Sequence, residues 1–152
     1  RQRETFLISE YRPAEFTFGE FMPRDEFTIG LQALFREDES KERLFEFTRK
    51  LVYAHVEENS EDGVTQRATI REGIDVGDGE KKETVQNPWE LSPFRTFPEI
   101  TVKQNFILRV RRGARDMELG LFEADGGQWE VDALADARAY LADQLEGWTI
   151  LG

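Results

Sequence analysis

Arg67, Arg71, Arg109 and Arg111 are the residues whose type and spacing offer the most definite chemistry in this chain. Arg67 and Arg71 occupy the polar side of the alternating run "VTQRATIREGI", and Arg109, Arg111, Arg112 and Arg115 gather at and just after "QNFILRVRR". If the two runs are neighbouring strands, their guanidinium forks make a cationic strip suited to a phosphate or carboxylate ligand. The competing arrangement pairs the same arginines with Glu72, Glu83 and Glu118 across a sheet. A second group is apolar: Trp89, Phe94 and Phe97 lie in the proline-rich stretch "NPWELSPFRTFPEI". Flexible linkers are poor in such side chains, so the stretch reads as an ordered strap. Its aromatics are expected mostly to close the core edge, with at least one of Trp89, Phe94 and Phe97 as a candidate for an apolar interface that a second subunit covers.

Catalytic chemistry is harder to assemble. The chain has no cysteine, its single histidine is His55, and no G-x-S-x-G elbow presents a serine, so the usual nucleophilic sites are missing. His55 reads as a surface or capping residue where a helix gives way to a strand. The glycines of "ADGGQW" precede a helix as an anion-binding loop would, but no P-loop Lys or Ser/Thr follows, and Asp125 is placed to cap the helix itself. Carboxylates cluster in "DVGDGE", with Asp75 and Asp78, and in "VEENSED"; neither matches the ligand spacing of a calcium loop. Glu123 and Asp125 are paired carboxylates at a strand end. The enzymatic alternative is therefore a carboxylate-based, metal-dependent hydrolase using some of Asp75, Asp78, Glu123 and Asp125. No metal site and no cofactor is assigned from the sequence.

The elements that must position these groups follow from periodicity. Residues 4 to 11 alternate as a strand. Phe27, Leu31, Leu34 and Phe35 make one helical stripe after Asp25, a candidate cap. A second helix follows a short acidic break, with Ser40 as its candidate cap and Leu44, Phe47, Thr48 and Leu51 on one face. The period then shortens to two, predicting strands near 54–58, 64–74 and 80–86 joined as an antiparallel meander. Beyond the strap, "QNFILRVRR" points Phe106, Leu108 and Val110 inward and is joined through "GARD" to the strand "MELGLFEA". A last helix runs from Val131 to about Glu146, with Leu134, Ala137, Leu141, Leu145 and Trp148 on one stripe. Strands clustered between a helical pair and a closing helix predict a single α+β domain: a largely antiparallel sheet with helices packed on one face.

The totals bound the function. A chain of 152 residues with 12 phenylalanines builds its own core and is no acidic disordered tail. A net charge of -11 opposes a nucleic-acid surface and reads first as a solvated acidic surface, with a basic partner easier to imagine than an acidic one. No apolar run is long enough to cross a membrane, and no export signal opens the chain. The chain begins at Arg1, already close to a strand-like run, so it is expected to be the C-terminal part of a longer protein.

The stretches "RPAEFTFGEFMPRDEFTIGLQALF", "EDGVTQRATIREGI", "NPWELSPFRTFPEI" with "NFILRVR", and "LGLFEADGGQWEVDALADARAYL" resemble a family of uncharacterised proteins encoded by bacteriophages and prophages. The resemblance covers nearly the whole chain. It implies action in the cytoplasm of a bacterial host and an additional N-terminal region, and it brings no catalytic residues with it. With no catalytic set in view, the expectation is a non-enzymatic binding or interaction protein, homo-oligomeric, that meets a host protein or a small anionic ligand.

Overall fold

A computed structural model of the chain describes residues 10, 14–57, 66–71 and 80–150. The opening strand expected over residues 4 to 11 falls outside these, apart from Glu10, which belongs to no element. The described elements are β1 (Met22–Pro23), α1 (Arg24–Leu34), α2 (Glu39–Lys50), β2 (Leu51–Glu57), β3 (Arg67–Arg71), β4 (Glu80–Thr84), β5 (Trp89–Leu91), β6 (Gln104–Arg112), β7 (Met117–Glu123) and α3 (Gln128–Gln144). They form an α+β fold with two antiparallel sheets, ordered β1-β7-β6-β5 and β2-β3-β4.

The helical pair forms where the apolar stripe predicts it, but its boundaries are set by other residues. Pro23, with φ -54°, occupies the cap position of α1, because β1 pairs with β7 until that residue and proline is pre-shaped for a helix start. Asp25 therefore lies inside the first turn, where a negative charge suits the helix dipole. Asp38, not Ser40, caps α2, its side chain accepting from the Lys41 N–H at 2.8 Å. Lys41 is buried, and its ammonium donates to the Gln32 and Phe35 carbonyls at 2.9 and 3.2 Å and to Glu37 at 2.6 Å. A cation at the carbonyls of the last turn and C-cap of α1 supplies the positive charge that α1, with no basic residue in its last turn, lacks.

The core lies between this pair and the inner face of the larger sheet. Phe106, Leu108 and Val110 of β6 and Met117, Leu119 and Leu121 of β7 point inward, as their alternation requires. Phe16 and Phe18 reach in from the preceding segment: Phe16 meets Phe27 and Phe35 edge-on at 5.6 and 5.2 Å, and Phe18 stacks on Phe106 at 4.9 Å. That segment runs along β7 and passes Gly120, where a Cβ would come within 2.7 Å of the Glu20 carbonyl oxygen, so no larger residue fits without a backbone shift.

Two carboxamides join the sheets. β5 pairs with β6 only at Gln104, Asn105 and Phe106, leaving further backbone groups of β6 without a strand partner on that side. The Asn87 side chain donates to the Leu108 carbonyl at 3.2 Å and accepts from the Leu108 N–H at 2.7 Å. Gln66, buried just before β3, does the same at Val110, accepting from its N–H at 2.8 Å and donating to its carbonyl. Each amide offers one donor and one acceptor, as a paired residue would. The meander is thereby anchored to β6.

Candidate interaction site

The strap is ordered, as its aromatics predict. Trp89 and Leu91 are buried in β5, and Ile100 is buried near its end. Arg36 of the α1–α2 connection donates to the Pro98 and Ile100 carbonyls at 2.7 and 3.3 Å, and backbone bonds join Phe94 to Leu34 and Arg36 to Ser92. Trp89, one of the three interface candidates, is a core residue with 4% exposure, because β5 presents alternate residues to the interior and Trp89 falls on that side. Phe94 is half-buried beneath the Arg36 guanidinium at 5.4 Å, and Phe97 remains 41% exposed. Of the three strap aromatics, Phe97 is thus the one with substantial surface to offer a partner.

Beside Phe97 runs α3. "ADGG" turns the chain into it through two glycines in the left-handed region, Gly126 at φ 64° and Gly127 at φ 85°. Asp125 accepts from the Gly127 and Trp129 N–H groups at 3.1 and 3.3 Å, so the amides that might have met an anion are engaged within the chain. Glu123 forms an ion pair with Arg95 at 2.5 Å, and the Gln104 amide donates to both Glu123 and Asp125 at 3.2 Å. The paired carboxylates are brought together as their spacing suggests, but into a closed polar cluster that seats α3. Among the described residues no group of acidic or histidine side chains is arranged to hold a metal ion, and Asp75 and Asp78 lie outside them.

Arg95 is the residue that sequence reading missed. Its guanidinium lies 4.0 Å from the Phe18 ring centroid and 4.6 Å from that of Trp129, with its side chain 12% exposed. It donates to Gln104 at 3.0 Å as well as pairing with the Glu123 carboxylate. One planar cation therefore ties the core, the strap, β7 and the first turn of α3 together. In sequence it is a lone arginine among prolines and phenylalanines, and no local pattern marks it.

The four arginines of the expected strip do not fall on hydrogen-bonded neighbouring strands. Arg67 is in β3 and Arg109 and Arg111 are in β6, strands of different sheets joined by the Gln66 side chain. Arg71, also in β3, faces Glu80 of β4 in the backbone register. Arg111 meets its cross-strand neighbour Glu118 at 2.7 Å and covers the Phe21 ring at 4.1 Å. The competing pairing with Glu118 accounts for this arginine. His55 falls within β2.

The most distinctive surface is instead apolar. Of eight large hydrophobic residues exposed among the described ones, six lie on α3 or just after it: Val131, Leu134, Tyr140, Leu141, Leu145 and Trp148. The last helix forms where its periodicity predicts, yet Leu134 is 72% and Trp148 77% exposed, while the smaller Ala133 is buried. Between α3 and the strap runs a groove of two adjoining cavities, about 400 and 380 Å³, that share Phe97, Ile100 and Ala137. Among the described residues no helix is long and apolar enough to cross a membrane, so this apolarity is not that of a transmembrane helix.

No family model, curated protein or solved structure matches this chain. The functional reading therefore rests on the geometry of its own surfaces.

Proposed function

We propose that this chain is a non-enzymatic binding or interaction module whose working surface is the face formed by α3 and the strap. The observation that carries the reading is the concentration of exposed large apolar side chains on that one helix. Single exposed leucines are ordinary, but contiguous apolar surface of more than a few hundred Å² on a folded domain marks a site that something else covers. Of the carboxylates weighed for catalysis, Glu123 and Asp125 are engaged with Arg95 and the glycine loop in holding α3 in place. An origin in a bacteriophage or prophage, and action in the host cytoplasm, belong to the same proposal and are supported by the resemblance of the quoted stretches.

The test is native mass spectrometry of the protein purified from its own host cells, parent beside a Leu134→Asp/Leu141→Asp variant. Both positions are exposed, so the thermal midpoint of the variant should match the parent within a few degrees. The expected result is a macromolecular complex with the parent and its loss with the variant. A parent free of any macromolecule, or a complex that survives both substitutions, overturns the reading.

A further inference from the structure

The groove has a definite electrostatic character. Its floor is apolar, built from Phe97 and Ile100 of the strap and Ala133, Leu134, Ala137 and Leu141 of α3. Its charged lining residues are Arg95, Glu99 and Glu130. Arg95 is already neutralised by Glu123 at 2.5 Å. Glu99 and Glu130 are exposed and make no ion pair among the described residues. The groove thus presents two uncompensated negative charges beside an apolar trough, on a helix with four carboxylates and one arginine.

That combination discriminates among occupants. A second copy of this chain would set α3 against α3 and bring like charges together, on bodies that each carry -11 overall. A partner with apolar side chains along one face and lysines or arginines beside them satisfies both features of the groove at once. From Trp129 to Leu141 α3 rises roughly 18 Å, about three helical turns, which fits a short peptide segment lying along it. We infer that the groove between the strap and α3 receives a cationic amphipathic segment of a partner protein, its apolar side chains on the floor and its basic residues on Glu99 and Glu130. This rests on the interaction-module reading and adds the chemistry of the partner.

The test titrates three synthetic probes against the intact protein: a Leu/Lys amphipathic helical peptide of about 18 residues, a scrambled peptide of the same composition, and a Leu/Glu counterpart. Isothermal calorimetry measures affinity for the parent, for Glu99→Lys/Glu130→Lys and for Leu141→Asp, each checked for an unchanged thermal midpoint. The ordered Leu/Lys peptide should bind the parent more tightly than the scrambled one. Charge reversal should weaken it roughly tenfold and should confer affinity for the Leu/Glu peptide. Leu141→Asp should also weaken the Leu/Lys peptide. Equal binding of the scrambled peptide, or indifference to the charge reversal, overturns the inference. Failure of both ordered peptides together with self-association that Leu141→Asp abolishes would identify a second copy as the occupant, overturning the cationic partner while leaving the interaction module standing. Leu141→Asp without effect on any association removes both.

Discussion

Gln66 shows how much one side chain can decide. Its amide supplies a donor and an acceptor to Val110 inside the protein, and leucine of similar size would leave both backbone groups without partners. Unsatisfied buried groups cost about 1–3 kcal/mol each, so Gln66→Leu should destabilise by roughly 2–4 kcal/mol in urea unfolding despite its greater hydrophobicity. Retained stability would mean that water replaces the amide. In sequence Gln66 stands among Val64, Ala68 and Ile70 on the apolar side of its strand, so its burial was legible while its partner was not. Alternation assigns a residue to a face, but a contact with Val110, 44 residues away, exists only after the sheets have docked. Arg95 is the same case in stronger form, since Phe18, Gln104, Glu123 and Trp129 meet around it only in three dimensions.

At the scale of elements, α3 depends on Arg95 more than on its own apolar stripe. Ala133 is its buried residue, and Val131, Leu134, Tyr140 and Leu141 are exposed. Arg95→Ala should therefore loosen the helix selectively: amide exchange over residues 128–144 should accelerate, while α1, α2 and β6 stay protected. The stability loss should be about 1–3 kcal/mol, with Glu123 more than a third exposed and its pairing discounted accordingly. Arg95→Lys should rescue only part of it, because an ammonium keeps the charge but cannot stack as a plane between two rings. Uniform acceleration across the domain would show that Arg95 supports the core as a whole. Periodicity placed α1, α2, β6, β7 and α3 near their observed positions because amphipathic spacing is a local property. Caps were less legible: Asp25 and Ser40 have the right chemistry, yet Pro23 and Asp38 hold the positions, since pairing of β1 with β7 decides where the first helix starts.

For the whole molecule, a charge of -11 at pH 7 is a long-range repulsion superimposed on a packed core. Raising monovalent salt from about 0.01 M to about 0.15 M shortens the screening length from ~30 Å to ~8 Å and should raise the thermal midpoint by a few degrees. A fall would mean that individual pairs such as Arg111 with Glu118 outweigh the net repulsion. The sequence by itself determined the α+β class, the helical pair, the meander, the inward residues of β6 and β7, and the order of the strap, because all of these depend on spacing along the chain. It also determined that the body is acidic and lacks the usual nucleophiles. Tertiary structure decided that Arg67 and Arg111 stand on different sheets, that Glu123 and Asp125 seat a helix, that Trp89 is core, and that the apolar stripe of α3 faces outward. An apolar stripe specifies that a surface must be covered. Whether the chain itself or another molecule covers it is fixed only when every other element has found its place.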